Sequence, residues 1–446
     1  MKRTSVFRAF VRYTLLSVLG TLGVSCYILA DTFFIAQGLG TRGLAALNLA
    51  IPVYNFIHGT GLMLGMGGAT RFSICRIRGE EKRADAEYSH VVYLAAVFSL
   101  LFMAVGFFFS GQLTGLLGAD EAVFEMTKTY LTWLLLFSPA FIMNDILLCF
   151  IRNDGEPRLP MFAMLVGSFA NIVLDYIFIF SLQMGIFGAV FATGLSPIIS
   201  MLVMSPHFLK RKNGFHLHWV HLQTELVKNS LSIGFPSLVA QVSSGIVMII
   251  FNIIILDLEG NVGVAAYGVT ANISLVVVAI YTGIAQGIQP LISESYGVGE
   301  KKRSRQVLNY GMVTMAVLSA AIYVMLFAWA DPITAAFNNE ENAALQEIAV
   351  QGLKLYFTSN LFVGYNTILA VYFTSVERAL PAHVISILRG VVLIIPMAFL
   401  LGSLWGMTGV WLAYPAAEGI SAAVGWLFQR MEQKKVKKPV DIPHGL

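Results

Sequence analysis

The chain has 446 residues, of which 57% are hydrophobic and only 12% charged, a charge content about half that of an average soluble domain. Most of it must therefore be solvated by lipid, which excludes a soluble enzyme. The net charge of +4 needs no nucleic-acid partner, because the distribution of its Lys and Arg along the chain accounts for it.

A spanning helix needs about 20 mostly apolar residues, and such segments follow one another along the whole chain. In order they predict α1 (11–36), α2 (45–73), α3 (89–110), α4 (128–151), α5 (160–181), α6 (186–208), α7 (229–256), α8 (265–292), α9 (306–330), α10 (346–373), α11 (382–402) and α12 (408–429). The predicted fold class is an all-α polytopic membrane protein of twelve helices. Basic residues precede α1, but no A-x-A-like cleavage site follows and the run is long enough to span, so α1 reads as a helix and not a signal peptide. Cys26, Cys75 and Cys149 fall in three different segments without metal-ligand spacing, which predicts buried reduced thiols with no redox role.

Lys and Arg are retained on the cytoplasmic side of short loops. With the N-terminus inside, 24 of them fall on one side and only Arg42, Lys128 and Lys354 on the other. That bias predicts an even helix count with both termini cytoplasmic, and the expected location is a cell membrane, of a prokaryote, crossed many times.

The chain repeats itself. A shift of 220 residues aligns Gly40 with Gly260, Gly43 with Gly263, Gly67 with Gly287, Ser73 with Ser293 and Lys82-Arg83 with Lys302-Arg303. A shift of 221 aligns Leu159-Pro160 with Leu380-Pro381 and Gly188 with Gly409. Six helices are thus duplicated in parallel, which predicts two lobes related by an axis along the membrane normal, with a cavity between them. The predicted division is an N-lobe (1–209), a cytoplasmic linker (210–228), a C-lobe (229–430) and a cytoplasmic tail (431–446). The linker carries His216, His218 and His221, read as a solvated face and not as a metal site.

The duplication supplies its own control, since a residue found in one half only is not required by the shared fold. Asp31 aligns with Phe251, Asn171 with Val392 and Asp175 with Pro396. An ionisable residue within a spanning segment is costly and marks a functional site by default. Asp31 and Asp175 sit roughly 8 to 9 Å inside the outer ends of α1 and α5 at 1.5 Å per residue, with Asn171 one turn from Asp175 and Thr193 of α6 at a similar depth. A desolvated carboxylate pair favours a bound proton or cation, and carboxylate, amide and hydroxyl oxygens also suit Na⁺. The alternative for these groups is hydrogen bonding that knits α1, α5 and α6 together.

Glu418, deep in α12 and aligned with Pro197, offers a second coupling or substrate-recognition residue, or else a satisfied hydrogen-bonder. His58 reads as a satisfied core residue. Arg71, Asp145 and Arg389 read as lying toward the cytoplasmic ends of their helices, where snorkelling or local pairing is ordinary. No G-x-x-x-x-G-K-[ST] phosphate loop and no soluble ATPase domain is present, so transport would have to be driven by a gradient. No cofactor is expected.

Arg152 to Phe180, RNDGEPRLPMFAMLVGSFANIVLDYIFIF, together with GIFGAVFAT (185–193), YILADTFF (27–34) and QGIQPLISESYG (286–297), resembles the multidrug and toxic compound extrusion transporters, in their MepA-like branch. The resemblance implies a cation-coupled drug exporter with two lobes and alternating access. Its N-lobe coupling site would fall on Asp31, Asn171, Asp175 and Thr193, with Tyr27 beside it. The family's other cation site, built on acids in helices 7 and 10, has no matching acids here and is not carried over. Many members have a proline fifteen residues before the helix 1 Asp; this chain has Leu16, with Pro236 at the repeat position in α7.

The expected function is secondary efflux of small organic, often cationic and lipophilic compounds by H⁺ or Na⁺ antiport, by a protein functional as a monomer in the bilayer. A flippase for lipid-linked saccharides is the alternative on a related fold. It would need a basic cavity, and few basic residues lie at mid-membrane depth.

Overall fold

The computed structural model describes residues 5–338 and 342–437, and among them there is no strand. The helical runs are consistent with the twelve predicted spans. The longest, Val6–Ile77 and Thr224–Gly297, are each two helices meeting at one left-handed glycine, Gly40 (φ 65°) and Gly260 (φ 61°). Ile394–Lys437 breaks in the same way at Gly406 (φ 57°). A residue with a Cβ is strained at positive φ, so these repeat-related glycines allow a helix to leave the membrane and re-enter it without an intervening loop. Here α1 is therefore 6–39, α2 is 41–77, α7 is 224–259, α8 is 261–297 and α12 begins at 407.

The remaining helices run longer than their apolar cores. Helix α3 is Glu81–Phe108, α5 is Arg158–Tyr176 extended by a π turn at Ile177–Ser181, α6 is Gly185–Leu209 and α9 is Lys301–Ala328. Helix α4 is bent by 48° between Phe124–Leu136 and Ser138–Asn153. Helix α10 runs from Ala343–Tyr356 through a 3₁₀ turn into Asn360–Ser375, and α11 from Ala379–Ile387 through a π turn at Leu388–Val392 into the start of Ile394–Lys437. The linker prediction ended at 228, but α7 begins at Thr224. The predicted tail is helical as far as Lys437, and 438–446 lie outside the described residues.

Two apolar cores form, one from α1 to α6 and the other chiefly from α7 to α12. Cys75 and Cys149 are buried in the first, whereas Cys26 is exposed and not buried as predicted. They meet along α1, α2, α7 and α8 through small residues. A Cβ at Gly67 would overlap the carbonyl oxygen of Ser230, and one at Gly234 that of Met63. On α8, Cβ atoms at Gly283 and Gly287 would lie 2.6 Å from Val18 Cα and Thr14 Cα. Without a hydrophobic drive between helices in lipid, such close backbone approach is how spanning helices hold together.

Polar contacts fasten the same seam at the face that carries the basic turns. Gln289 Nε2 donates to Thr70 Oγ1 at 2.8 Å, Asn153 Nδ2 donates to Gln289 Oε1 at 2.8 Å, and Arg78 Nε donates to the Gly297 carbonyl at 3.1 Å. Arg71 is buried and does not snorkel: its Nε donates to Glu87 at 3.1 Å and its Nη1 pairs with Glu377 of the other lobe, while Ser230 donates to Glu87 at 3.0 Å. Glu377 holds a left-handed backbone (φ 56°) in the α10–α11 turn, where the equivalent α4–α5 turn uses Gly155 (φ 92°). A strained non-glycine residue there is retained by what its side chain does. Among the described residues, every interlobe hydrogen bond lies between this basic face and mid-height, the highest being Asn55 to Ser244 at 3.3 Å.

Glu418 is not a free acid. Arg389, at the π turn of α11, donates to Glu418 Oε1 through Nε at 2.9 Å and lies 2.8 Å away through Nη2, and Asn366 donates to Oε2 at 2.7 Å. Both oxygens are engaged, which is the satisfied hydrogen-bonder that its depth offered as the alternative to a coupling or substrate role. The partner was legible only as an arginine expected near a helix end.

The linker is extended and pinned to α3 by its own backbone. His216 N–H donates to Asp85 at 2.8 Å, His218 N–H to Ser89 at 3.0 Å, Val220 N–H to Tyr93 at 3.3 Å and Gln223 N–H to His90 at 2.9 Å. The His216 and His218 rings lie 3.5 and 3.3 Å from the Asp85 carboxylate.

Glu418→Gln leaves the partly buried Arg389 without its counter-charge, so the unfolding free energy should fall by about 3 kcal/mol; a melting temperature equal to the parent's would contradict the pairing. With spin labels at Lys82 and Lys302 on the basic face, Glu377→Gln should shift the interlobe distance distribution to longer values, whereas an unaltered distribution would show that Arg71 and Glu377 do not fasten the lobes.

Candidate cation-coupling site

Helices α1 and α5 run parallel and side by side in a constant register. A Cβ at Gly20 would meet Met164 Sδ at 2.8 Å, one at Gly23 would meet Leu165 Cδ2 at 2.7 Å, and Gly38 lies against Ile179 and Phe180. The same offset of about 144 residues carries Asp31 to Asp175. Small residues on α1 let the two backbones approach, and the register then sets the acids face to face.

Asp31, Asn171, Asp175 and Thr193 are all buried, Asn171 and Asp175 completely. The carboxyl groups of Asp31 and Asp175 are neighbours. Taken as two carboxylates they can only accept, and five buried polar atoms have no partner within the protein: Asp31 Oδ1, both Asp175 oxygens, and Oδ1 and Nδ2 of Asn171. A single proton between two facing carboxyls turns repulsion into a bond. The donor set also suits Na⁺, which binds carboxylate, amide and hydroxyl oxygens.

Thr193 stands apart from the other three in one respect. Its hydroxyl already donates to the Ala189 carbonyl at 3.1 Å, and Tyr130 of α4 lies beside it. Tyr130 was not singled out from the sequence, because a tyrosine in an apolar helix carries no signal until its neighbours are known. Tyr27, one turn before Asp31, places its hydroxyl 2.9 Å from that of Tyr54 on α2. Glu418 lies in the other lobe and joins none of these residues.

The π turn at Ile177–Ser181 begins two residues after Asp175, with Leu182 N–H reaching back to the Ile177 carbonyl. Such one-turn widenings recur at functional sites in helices. Helix α1 itself is unbroken from residue 6 to Gly40, consistent with Leu16 in place of a proline.

The MatE family model matches residues 17–177 and 236–400. Two relatives named multidrug export protein MepA, from Staphylococcus saprophyticus and Staphylococcus aureus, are each 26% identical over 96% of this chain and 94% of their own length. Among solved structures, a MOP-superfamily transporter from Pyrococcus furiosus superposes with a TM-score of 0.90 at 23% identity, over 98% of both chains. The Vibrio cholerae MATE transporter VcmN superposes with a TM-score of 0.89 at 22% identity, over 96% of this chain and 98% of that one. These structures share the two-lobe architecture. With the family model matching most of both halves, the chain belongs to the MatE family, the multidrug and toxic compound extrusion transporters.

Proposed function

We propose that this protein is a secondary active multidrug exporter, an antiporter that moves organic and often cationic lipophilic compounds out of the cell in exchange for H⁺ or Na⁺ bound among Asp31, Asn171, Asp175 and Thr193. The observation that carries this reading is the Asp31 and Asp175 pair: two carboxyl groups buried against each other, without a basic partner, in the half whose duplicate has Phe251 and Pro396 instead. Relatives named for multidrug export supply the class of cargo.

The basic face is assigned to the cytoplasm of a cell membrane, with both termini inside, on the strength of the Lys and Arg bias. The lobes are taken as 1–209 and 229–430 with the linker between them, and the monomer as the working unit, since one chain supplies both lobes and the whole cluster. On that assignment the fastened seam closes the cytoplasmic side, and the cluster receives its ion from outside. Ion binding and substrate binding then favour different states, and the exchange follows from their differential affinity.

How occupancy reaches the rest of the lobe is set by the α1 and α5 register. Helix 1 has no proline to bend, and its glycines are filled by Met164 and Leu165. The ion therefore acts on the α1 and α5 contact itself: with both acids ionised the two helices repel at Asp31, and with the charge cancelled they close.

Asp31→Asn and Asp175→Asn should each lower coupled efflux of ethidium from proteoliposomes at least tenfold while membrane insertion is retained; full efflux by both variants would sink the assignment. An imposed pH gradient and, separately, an imposed Na⁺ gradient identify the ion, since only the coupling gradient should drive efflux that Asp175→Asn removes. Drive by neither gradient would contradict antiport.

A further inference from the structure

A second buried titratable pair lies in the same lobe, nearer the basic face. Asp145 of α4 is 4% exposed, and its Oδ2 lies 2.7 Å from Nδ1 of His58 on α2, with the imidazole turned off the straightest line to it. The carboxyl group fits against α2 only because residue 61 is glycine: a Cβ there would fall 2.6 Å from Oδ2 and 3.0 Å from the Asp145 Cβ. Sequence reasoning separated the two residues, taking one for a core histidine and the other for an acid near a helix end.

We propose that His58 and Asp145 form a second proton-binding site, linked through Tyr54 and Tyr27 to the Asp31 and Asp175 cluster, and that a cationic substrate entering between the lobes displaces its proton. The proposal rests on the export reading above but not on which ion the Asp31 cluster takes.

The first step is proton bookkeeping within the pair. Ionised Asp145 beside neutral His58 is an uncompensated charge in a desolvated place, which is strongly unfavourable. With one proton the pair is neutral overall, either as imidazolium with carboxylate or as imidazole with carboxylic acid. It therefore holds one proton until another positive charge replaces it. The His58 side chain remains 26% accessible while that of Asp145 is 5% accessible, so an incoming cation meets the imidazole first and the negative charge lies behind it. The proton lost by the pair is released to water as the cation takes over its counter-charge role.

The link to the outer cluster is laid out along three helices. The ring of Tyr54 stacks on the imidazole of His58, centroids 5.9 Å apart at 14°, one turn away on α2. Its hydroxyl is 2.9 Å from that of Tyr27, and Tyr27 is one turn from Asp31 on α1. The titratable and charged groups facing this path are Asp31, Asp175 and Tyr130 at the outer end. At the inner end Cys149 and Arg152 follow Asp145 along α4. From α7 the neighbours of residue 59 are Leu238 and Gln241, neither ionisable, and Phe141 of α4 covers the Tyr54 ring at 5.7 Å.

The duplication bears on this pair as it did on the acids. The repeat counterparts of Tyr27, Tyr54, His58 and Asp145 are Val247, Ser274, Val278 and Asn366. The second half builds the same fold without them, so the pair is not a requirement of α2 and α4 packing.

The test is proton release on adding tetraphenylphosphonium to purified protein in weakly buffered detergent, read with a pH indicator. The parent should release protons, and His58→Gln and Asp145→Asn should each reduce the yield per bound cation by at least half, Asp145→Asn also binding the cation more weakly. Asp31→Asn should keep the fraction that His58→Gln removes, so that failure of the outer cluster as an antiport site is told apart from failure of this one. Equal yields from the parent, His58→Gln and Asp145→Asn would overturn the proposal. Should either substitution prevent folding, infrared difference spectra of the Asp31→Asn protein carrying isotope-labelled histidine and aspartate decide the matter: loss of a proton from an imidazole or carboxylic-acid band on cation binding supports the site, and no change in either overturns it.

Discussion

A charge inside a bilayer has to be paired, cancelled by a bound ion, or turned toward water, and the arrangement of this molecule follows from how each buried charge meets that demand. Arg71 and Arg389 are paired with carboxylates through short, directed bonds, and their helices are fixed by those pairs. Asp31 and Asp175 have only each other, so their state depends on what arrives from solution. The same cost that makes the first kind of residue structural makes the second kind responsive.

The two kinds are distributed unevenly between halves that share one fold. In the second half the deep acid, Glu418, is held by Arg389 and Asn366 and has no oxygen left over. In the first half Glu87 is held by Arg71, but Asp31 and Asp175 stand without a basic partner, and a histidine accompanies Asp145. Duplication provided two similar bundles, and the divergence of a handful of side chains left an unpaired acid pair in one of them only. The interlobe seam, built on glycines and on Arg71 with Glu377, joins the two halves.

Much of this was legible in the sequence, for physical reasons that can be named. Hydropathy found the spans because lipid demands about 20 apolar residues each, and the matched glycines found the duplication. Helix ends were misplaced where helices continue into water, as at Glu81 and Lys301, since hydropathy measures the bilayer and not the helix. Depth counting brought Asp31, Asn171, Asp175 and Thr193 to one level, and parallel neighbouring helices do place Asp31 on Asp175. Partners were not legible. Arg71 meets Glu377 across 306 residues of chain, and His58 meets Asp145 from a different helix, contacts fixed by packing that no spacing within one segment encodes.

The linker bonded along α3 has a consequence for the geometry of motion. Four of its backbone N–H groups between residues 216 and 223 are committed to side chains of the first lobe. The linker therefore travels with that lobe as if it were one more of its elements, and gives no slack to the connection. Rotation of one lobe against the other must be taken up at the step from Gln223, which is extended, into the first turn of α7 at Thr224. The two halves are in effect hinged at a point.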